Sequence, residues 1–448
     1  MGVSEKKIVL KVSNLCVGFL SHERKVNVIR DITIDVYEGE TLAIVGESGS
    51  GKSVFTKTFT GMLDANGYIS DGSIIFHGRD LAKFKSPEEW KGIRGKQIAT
   101  IFQDPMTSLN PLFSIGYQIE EVLVLHSKPT KEQLESWEVQ HRNDEKALQD
   151  KLAKLSKKEQ KHYLISLKEK CARLAKEYYE ETIAKEENPS SLYIKVIKDR
   201  AEKHAKSKVY GVQKPCGMTS NEAKLEAIEL LRKVHIPEPE QRMKDYPFQY
   251  SGGMRQRVVI AIALACHPEI LICDEPTTAL DVTVQSQILE LVKELQKEYH
   301  WTTIFITHDL GVVANVADRI AVMYGGQIVE YGTAEDVFYQ PAHPYTWALL
   351  SSLPQLGAKN EPLVYIKGNP PSFVEEIIGD AFAIRNDYAL RIDFLEDPPV
   401  FKISDTHYAK TWLLDPRAPK VEKPLIIQNL RARMKQAAEE LKREVGDD

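Results

Sequence analysis

The chain has 448 residues, which is more than one average domain needs, so we expect a large domain with additional elements. Its composition of 42% hydrophobic and 27% charged residues is typical of a globular protein, and its formal net charge of −5 argues against a dedicated nucleic-acid binder. The longest apolar run, 258–266, is far below the roughly 20 residues that span a bilayer, so an encounter with a membrane would require a partner.

Alternating apolar and polar residues at 8–19 and 28–36 predict antiparallel strands. The apolar run 41–45 predicts a short buried strand, followed by a glycine-rich turn and a helix. Another helix is predicted to begin after Ser86, because this capping serine precedes a proline and a glutamate stands three residues on. Residues 98–102 predict a further strand.

Between residues 127 and 218 the sequence becomes rich in lysine and glutamate, contains almost no glycine and spaces its apolar residues as helices do. A capping box runs from Ser156 to Glu159. The apolar positions on either side of it are Leu148, Leu152, Leu155, Leu164, Leu167, Cys171, Leu174 and Tyr178. They predict two antiparallel helices that bury these stripes against each other. A solvated insertion is favoured over a partner-binding arm, since charge runs are usually solvated faces.

Beyond residue 219 the pattern returns to compact α/β sequence, with buried strands predicted at 270–273 and 303–307 and a helix across 282–299. From about Pro341 the chain is proline-rich and irregular, which predicts a separate C-terminal piece. The predicted domains are an α/β domain formed by 1–126 and 219–340, a helical insertion at 127–218 and an extension at 341–448.

Residues 46–53 read GESGSGKS, follow a predicted strand and open a helix, which is the context of a phosphate-binding P-loop. Glycines allow backbone N–H groups to surround the phosphates, next to the positive end of the helix. Lys52 would reach the β- and γ-phosphates, and the hydroxyl of Ser53 would bind Mg²⁺. A chance match is expected in about one of a hundred chains of this length. The predicted nucleotide contacts are Gly46, Ser48, Gly49, Ser50, Gly51, Lys52, Ser53 and Val54.

Two carboxylates stand at the end of the apolar stretch EILICDEP, at 269–276. Such a strand ending is common and means little alone, but beside a P-loop it has a chemical use. Mg²⁺ needs a carboxylate, directly or through water, which we assign to Asp274. Hydrolysis needs an acceptor for the proton of water, which we assign to Glu275.

The stretch 250–257, YSGGMRQR, precedes an apolar helix. Ser251 can cap that helix, and Gly252 and Gly253 allow an anion to approach the backbone closely; an ordinary capped helix is the alternative. Together with the P-loop and the two carboxylates, this stretch resembles the signature motif of the ABC ATPase family, which contacts ATP held by the opposite subunit. The resemblance implies an α/β fold with a RecA-like core, an antiparallel β subdomain and a helical subdomain, and two ATP sites at a dimer interface.

Further positions match elements of this family in order. Gln103 in IFQDP resembles the Q-loop, which links Mg²⁺ and the attacking water to the loop that touches the permease; a polar strand cap is the alternative. The stretch 279–281 resembles the D-loop with Asp281, and His308 in ITHD resembles the switch histidine that bonds the γ-phosphate. Phe19 resembles the aromatic residue that stacks on adenine, and a plain core position is equally open for it. The resemblance implies as catalytic residues Glu275, His308 and Gln103, and as Mg²⁺ ligands Ser53, Gln103 and Asp274.

Six longer stretches resemble one branch of this family: GESGSGKS, FQDPMTSLNP, SGGMRQR, THDLGVVA, HPYT at 343–346 and GNPP at 368–371. They look like the oligopeptide and dipeptide importer ATPases, in particular their D-type subunit, whose C-terminal extension non-transport ABC ATPases lack. The resemblance implies ATP and Mg²⁺ as ligands. It implies as partners a second ATPase subunit, two permease subunits and, indirectly, an extracellular peptide-binding protein, with no nucleic acid. The implied place is the cytoplasmic face of the plasma membrane, as a peripheral protein.

The sequence leaves one alternative open for the transported cargo and one for the class of ABC ATPase. Oligopeptides are the expected cargo, with dipeptides, nickel or another small solute as the alternative, because the ATPase does not touch the cargo. A soluble ABC ATPase of the DNA-repair type also carries a helical hairpin between P-loop and signature. Its arms are usually much longer, however, and their hinge carries a C-x-x-C pair that this chain lacks.

Many relatives of this kind hold an iron–sulfur cluster with four cysteines of the extension. The matching positions here are Asp380, Asn386, Asp393 and Thr411. Since no thiolate remains, we predict no cluster and an extension held by packing and polar contacts. The five cysteines of the chain form no C-x-x-C pair, so neither a disulfide framework nor a zinc site is expected, and a reducing cytosol fits best.

Overall fold

The computed structural model describes residues 7–21, 24–129, 131–186, 189–210, 217–278, 280–353 and 366–430. These residues form two compact units, one within Met1–Asp104 and His267–Asp448 and the other within Pro105–Cys266. The second unit begins earlier and ends later than the insertion predicted at 127–218, because helices on both sides of that stretch pack together with it.

The secondary-structure elements of the described residues are numbered in chain order. The strands are β1 (Ile8–Ser21), β2 (Arg24–Tyr37), β3 (Thr41–Val45), β4 (Gly67–Phe76), β5 (Arg79–Asp80), β6 (Ile98–Ile101), β7 (Ile270–Asp274), β8 (Thr302–Thr307), β9 (Arg319–Tyr324), β10 (Gln327–Thr333), β11 (Phe401–Lys402) and β12 (Tyr408–Ala409). The helices are α1 (Lys52–Lys57), α2 (Pro87–Trp90), α3 (Pro105–Ser108), α4 (Ile115–His126), α5 (Lys131–Ala153), α6 (Lys157–Ile183), α7 (Ser191–Tyr210), α8 (Ser220–Lys233), α9 (Pro239–Arg242), α10 (Gly252–Leu264), α11 (Val282–Tyr299), α12 (Leu310–Val316), α13 (Ala334–Tyr339), α14 (Pro344–Ser351) and α15 (Leu425–Gln428).

The first unit contains two sheets. Antiparallel strands form the first sheet in the order β2-β1-β4-β5, and β1 and β2 are longer than predicted because their pairing continues through several register shifts. The second sheet has the order β11-β12-β10-β9-β3-β8-β7-β6, and the strands from β9 to β6 run parallel. Parallel strands end at the same edge of a sheet, so the residues that follow β3, β7 and β8 meet there.

The strand β3 separates two hydrophobic clusters. Leu42 and Ile44 belong to the cluster that includes the antiparallel sheet and α1, whereas Ala43 and Val45 belong to the cluster that includes α12, α13 and α14. Side chains of a strand point alternately to its two faces, so a strand covered on both faces is apolar throughout. This is why the bounds 41–45 were predictable from the sequence.

The C-terminal extension shares the core of the first unit, whereas its irregular sequence predicted a separate piece. Tyr345, Phe382 and Ile427 lie in the same hydrophobic cluster as β3 and β9, and β12 pairs with β10. The apolar residues of the extension are spread over a long irregular stretch. They are buried against the sheet because a short, thinly apolar segment cannot enclose a core of its own.

In the second unit α8 packs against α4, α7 and α10. The helix α6 begins after Ser156 with the predicted capping box. The predicted pairing of apolar stripes differs from the structure: within the described residues α6 packs along α7, where Tyr178 stacks on His204 at 4.8 Å between ring centroids. Leu164 of the predicted stripe is exposed. Periodicity shows which face of a helix is apolar but does not identify the helix that covers it.

Among the described helices, none combines the length and the apolar character that crossing a membrane requires. The apolar run 258–266 noted in the sequence lies largely within α10, and most of its side chains are buried in the second unit. That run is therefore part of a core helix, and its length was predicted to be too short to span a bilayer.

Candidate active site

The P-loop is the turn between β3 and α1. A side chain at Gly46 would place its Cβ 2.1 Å from the carbonyl oxygen of Met323, so only glycine fits there. Gly51, with φ of 100°, precedes the first residue of α1. The carbonyl of Ser50 accepts a hydrogen bond from the N–H of Gly326 at 3.1 Å, and its buried hydroxyl has no partner among the described residues. An oxygen of a bound phosphate could satisfy that hydroxyl.

Lys52 is folded back into the loop that precedes it. Its Nζ donates to the carbonyl oxygens of Gly46 at 2.8 Å and Glu47 at 3.0 Å, and the residue is 5% exposed. Burial lowers the pKa of Lys52, and the negative charges of Glu275, Asp274 and Glu47 oppose that shift. The loop thus holds a cation at the place where the phosphates of a nucleotide would lie.

Asp274 is the last residue of β7 and faces the start of α1. Its Oδ1 accepts a hydrogen bond from the hydroxyl of Ser53 at 3.0 Å. Burial raises the pKa of Asp274, while the hydrogen bond from Ser53 lowers it. Hydroxyl and carboxylate oxygens are ligands that Mg²⁺ prefers, so this pair fits a magnesium ion.

Glu275 follows β7 with φ of 46°, in the left-handed region that side chains rarely adopt. Its N–H donates to the carbonyl of Ile306 on β8 at 3.0 Å, which fixes the backbone. Three polar atoms surround its Oε2: Nε2 of Gln103 at 3.2 Å, Oγ1 of Thr278 at 2.9 Å and Nδ1 of His308 at 3.3 Å. This carboxylate is therefore held at a defined position at the edge of the sheet.

One cavity of about 990 Å³ connects the P-loop with Gln103, Glu275 and His308. This volume suits a ligand of nucleotide size. Seven of its lining residues were not among the predicted contacts: Val28, Glu47, Thr278, Leu349, Ser352, Ile366 and Phe373. Thr278 was detectable as a hydroxyl three residues after the carboxylate pair. The four apolar residues carried no signal, because in the sequence they are indistinguishable from other core positions.

Besides Gly46, Ser50 and Asp274, described above, the predicted residues Phe19 and Asp281 do not line this cavity. The ring of Phe19 lies against Gly67 of β4, where a Cβ would come within 2.9 Å of it, and Phe19 is not among the residues that line the cavity. Asp281 caps α11 by accepting a hydrogen bond from the N–H of Val284 at 2.9 Å. Ala279 of the predicted D-loop lies outside the described residues. The roles of Phe19 and Asp281 stay predictions.

The predicted signature stretch lies in the second unit. Ser251 caps α10, with its Oγ accepting a hydrogen bond from the N–H of Met254 at 3.3 Å. Gly252 and Gly253 are the first residues of that helix, so their N–H groups lie at its positive end. The local geometry is that of a capped helix, and contact with a nucleotide of another subunit stays a prediction.

The HPYT stretch anchors the extension through a buried polar cluster. The carboxylate of Glu330 on β10 accepts hydrogen bonds from the N–H groups of Ala342 at 2.7 Å and His343 at 2.9 Å, and it lies 2.7 Å from Nε2 of His407. Nδ1 of His343 accepts a hydrogen bond from the N–H of Tyr345 and caps α14. Burial lowers the pKa of His343 to about 3, so this cap is a neutral imidazole.

The four positions that the sequence analysis matched to cluster-binding cysteines are buried and polar. Asp380, Asn386, Asp393 and Thr411 each accept a hydrogen bond from a nearby backbone N–H through a side-chain oxygen. These bonds stabilise local turns of the extension. Oxygen donors are poor ligands for an iron–sulfur cluster, which thiolates hold, so these residues do not fit such a group.

Asp380 makes the stability of the extension depend on pH. Burial raises its pKa to about 7, against the hydrogen bond from the N–H of Phe382. Because the folded pKa lies above the ordinary value, the resulting stabilisation is complete below about pH 4 and is lost as pH rises through 7. The substitution Asp380→Asn keeps the acceptor for Phe382 and removes the charge. We expect it to raise the free energy of unfolding at pH 8 by on the order of a few kcal/mol.

Urea unfolding of both proteins at pH 5 and pH 8 measures this effect. The difference between the Asp380→Asn variant and the wild type should be clearly smaller at pH 5 than at pH 8, because at pH 5 only part of the stabilisation has been lost. The exposed Asp387, which pairs with Lys367 at the surface, provides the matched control Asp387→Asn. A difference that is the same at both pH values would contradict the prediction.

A P-loop after the parallel strand β3 and a carboxylate pair after β7 of the same sheet define the chain as a P-loop ATPase. A family model described as "ABC transporter" matches residues 29–278, and a model described as "Oligopeptide/dipeptide transporter, C-terminal region" matches residues 329–392. The chain therefore belongs to the ABC transporter family, among its oligopeptide and dipeptide transport ATP-binding proteins.

Individual relatives align with nearly the whole chain. It is 47% identical to the oligopeptide transport ATP-binding protein AmiE of Streptococcus pneumoniae, over 96% of this chain and 97% of that protein. It is 45% identical to the dipeptide transport ATP-binding protein DppD of Lactococcus lactis, over 94% of each. Among solved structures, the dimeric ATP-binding cassette MJ0796 with ADP and phosphate matches at 21% identity with a TM-score of 0.47, over 72% of this chain and 98% of that one.

Proposed function

We propose that the chain binds ATP with Mg²⁺ in the cavity beside the P-loop and hydrolyses it as one half of an ATPase dimer that energises peptide import. One observation carries this proposal. Lys52, the hydroxyl–carboxylate pair of Ser53 and Asp274, and the carboxylate of Glu275 meet at the carboxyl edge of one parallel sheet. Ligands of open α/β sheets bind at this edge.

The P-loop would hold the phosphates. Its backbone N–H groups and the ammonium of Lys52 supply the positive charge, and Lys52 would exchange its two carbonyl partners for phosphate oxygens. Ser53, Asp274 and Gln103 would hold Mg²⁺, which when bound neutralises charge on the transferred phosphoryl group. Hydroxyl, carboxylate and amide oxygens suit this hard cation.

Glu275 would accept the proton of the attacking water. Gln103, Thr278 and His308 surround its Oε2 and keep the carboxylate in place, and Oε1 is the oxygen that would take the proton. His308, which is 54% exposed at its side chain, would bond the γ-phosphate once nucleotide is present. Thr278 joins the set as a positioning residue, because its hydroxyl bonds Glu275 directly.

A second ATPase subunit, a different chain, would complete each site. Ser251, Gly252 and Gly253 present the N-terminus of α10, where backbone N–H groups can bind the phosphates of ATP held by that subunit. Asp281 at the start of α11 would lie at the same subunit interface. Closure of the dimer around two ATP molecules would drive a permease, and hydrolysis would reset it.

The names of the relatives support peptides as the cargo. AmiE is named for oligopeptide transport and DppD for dipeptide transport, so we propose oligopeptides first and dipeptides as the alternative. Nickel or another small solute is a further alternative. The proposed partners are two permease subunits and, indirectly, an extracellular peptide-binding protein, at the cytoplasmic face of the plasma membrane, without nucleic acid.

The proposed domains are a nucleotide-binding domain at 1–126 and 219–340, a solvated helical insertion at 127–218 and the importer-type extension at 341–448. The charged and largely exposed side chains of α6 support the second assignment. We also propose that the extension holds no iron–sulfur cluster, supported by the oxygen atoms of Asp380, Asn386, Asp393 and Thr411 at the four positions matched to cluster cysteines.

Complementation tests this function. A strain that lacks the gene receives either the wild type or the Glu275→Gln variant, and uptake of a labelled hexapeptide, a labelled dipeptide and Ni²⁺ is measured. We expect the wild type, but not the Glu275→Gln variant, to restore hexapeptide uptake. The complex solubilised from membranes through a tagged chain should contain two permease subunits and a second ATPase. The chain purified by itself should contain no iron or acid-labile sulfide.

Other results would point elsewhere. Restored Ni²⁺ uptake without peptide uptake would make the proposed cargo wrong. Unchanged uptake of all three solutes, together with copurifying nucleic acid and no permease, would make the importer proposal wrong. One equivalent of iron and sulfide in the chain purified without the second ATPase would contradict only the absence of a cluster.

A further inference from the structure

An ion pair joins the C-terminal extension to the P-loop itself. The guanidinium of Arg385 binds both carboxylate oxygens of Glu47, the second residue of the loop, with Nη1 2.5 Å from Oε2 and Nη2 3.0 Å from Oε1. The side chains of Arg385 and Glu47 are 5% and 25% exposed. A bidentate pair that is this far removed from water is stronger and more directional than a surface ion pair.

Arg385 is itself held in place by the extension and by β9. Its Nε donates to the carbonyl of Lys367 at 2.7 Å, and its Nη1 also donates to the hydroxyl of Tyr324 at 3.0 Å. The guanidinium carbon lies 5.7 Å from the ring centroid of Tyr324. A planar group with this many partners has one orientation, so it fixes the carboxylate of Glu47 rather than following it.

A second contact holds the backbone of the same loop residue. The N–H of Glu47 donates to the hydroxyl of Tyr345 in α14 at 2.8 Å. The ring of Tyr345 is fully buried and packs against Tyr324 and Phe382, with centroids at 4.5 and 5.3 Å. The extension therefore holds the loop through both the side chain and the main chain of Glu47.

The charge of Glu47 explains why such a partner is needed. Glu47 lines the same cavity as Lys52, and its carboxylate is one of the negative charges that act on the ammonium of Lys52. An uncompensated carboxylate there would repel the phosphates of a nucleotide. The guanidinium of Arg385 cancels that charge at close range.

We propose that Arg385 is a positioning residue for nucleotide binding, through which the C-terminal extension holds and neutralises the P-loop glutamate and thereby sets the affinity for ATP. This inference rests on the proposed role of the cavity as the ATP site. Arg385 acts through Glu47, and its effect appears in the affinity for nucleotide rather than in the chemical step.

Variants that remove one or both charges of the ion pair separate this role from a merely structural one. Removal of the guanidinium in Arg385→Ala should weaken binding of MgATP by about tenfold, since Glu47 then faces the phosphates alone. Glu47→Gln should bind about threefold more tightly than the wild type, because the positive charge remains and the negative one is gone. The double variant Arg385→Ala/Glu47→Gln should recover to within about threefold of the wild type.

The experiment measures the dissociation constants of MgATP and MgADP by titration calorimetry on the full chain at two salt concentrations. Arg385→Lys, which keeps the charge without the bidentate geometry, should lie between the wild type and Arg385→Ala. Arg391→Ala, an exposed arginine of the same extension, is the matched control. Thermal unfolding verifies that each variant is folded.

Each result either supports or overturns the proposed role of Arg385. An affinity of Arg385→Ala equal to the wild type, or a double variant as weak as the single one, would overturn the inference. If Arg385→Ala does not fold, Glu47→Gln and Arg385→Lys decide, and weaker binding by Glu47→Gln would sink the idea. A wild-type chain that binds no MgATP would contradict the proposed function instead.

Discussion

Replacing Glu275 by glutamine is expected to abolish steady-state ATP hydrolysis while ATP binding persists. Glutamine keeps the size of the side chain and can still accept hydrogen bonds from Thr278, but it cannot take a proton from water. General-base catalysis contributes about 10²–10⁴-fold to a rate, so we expect kcat to fall by at least about 100-fold. The affinity for MgATP should stay within a few-fold, since Lys52 and Ser53 are unchanged.

The measurement is phosphate release at saturating MgATP, combined with equilibrium binding. Glu294→Gln is the matched control, because Glu294 is an exposed carboxylate on α11 and lines no part of the cavity. A variant that retains ATP but does not hydrolyse it should also accumulate in the closed dimer, which sedimentation with the partner ATPase detects. Normal turnover by Glu275→Gln would refute its role as the base.

Replacing Lys52 by alanine is expected to abolish nucleotide binding without unfolding the protein. The ammonium is buried and carries the positive charge closest to the proposed phosphates, and truncating one member of a buried charge pair typically costs 2–5 kcal/mol. This corresponds to a loss of affinity of roughly 30-fold or more. Burial lowers the pKa of Lys52, so its charge is not what stabilises the fold, and the melting temperature should not fall.

Lys57→Ala is the control for this experiment. Lys57 stands in the last turn of the same helix α1 and pairs only loosely with Asp64, at 3.7 Å. It should bind MgATP like the wild type. Retained binding by Lys52→Ala would contradict the assignment of the loop as the phosphate site, whereas a cooperative loss of structure would show that Lys52 has a structural role.

The two substitutions act on different steps, and together they test the architecture of the site. Loss of binding in one variant and loss of turnover in the other would separate the P-loop from the carboxylate after β7. Loss of binding in both would mean that Glu275 supports the nucleotide rather than the chemistry.

Local sequence determined much of this site in advance. The bounds of β3 and α11, the capping box at Ser86 and the turn at 46–53 depend on residues close together in the chain, so local rules predict them. The convergence of the P-loop with Asp274, Glu275 and His308 was also predictable in outline. Successive buried strands of an α/β sequence run parallel and therefore end at one edge.

The C-terminal extension shows the limit of prediction from local sequence. Its proline-rich sequence has no periodicity, so it predicted a separate piece, whereas Tyr345 and Phe382 lie in the main core. Nothing near Arg385 in the sequence indicates its partner, which lies 338 residues earlier at Glu47. The same limit applies to α6, whose apolar stripe was predicted while its neighbour α7 was not.

The sequence by itself determined the chemistry of this protein. The glycines and the lysine of the P-loop lie close together at 46–53, and the two carboxylates are adjacent at 274–275, so each motif is recognisable locally. Only the tertiary structure decided how that chemistry is supported. It brought Gln103 to the carboxylate of Glu275 and the extension to the P-loop. The physical reason is that burial and charge pairing join surfaces that are complementary in space, and no local rule records which distant residues will meet.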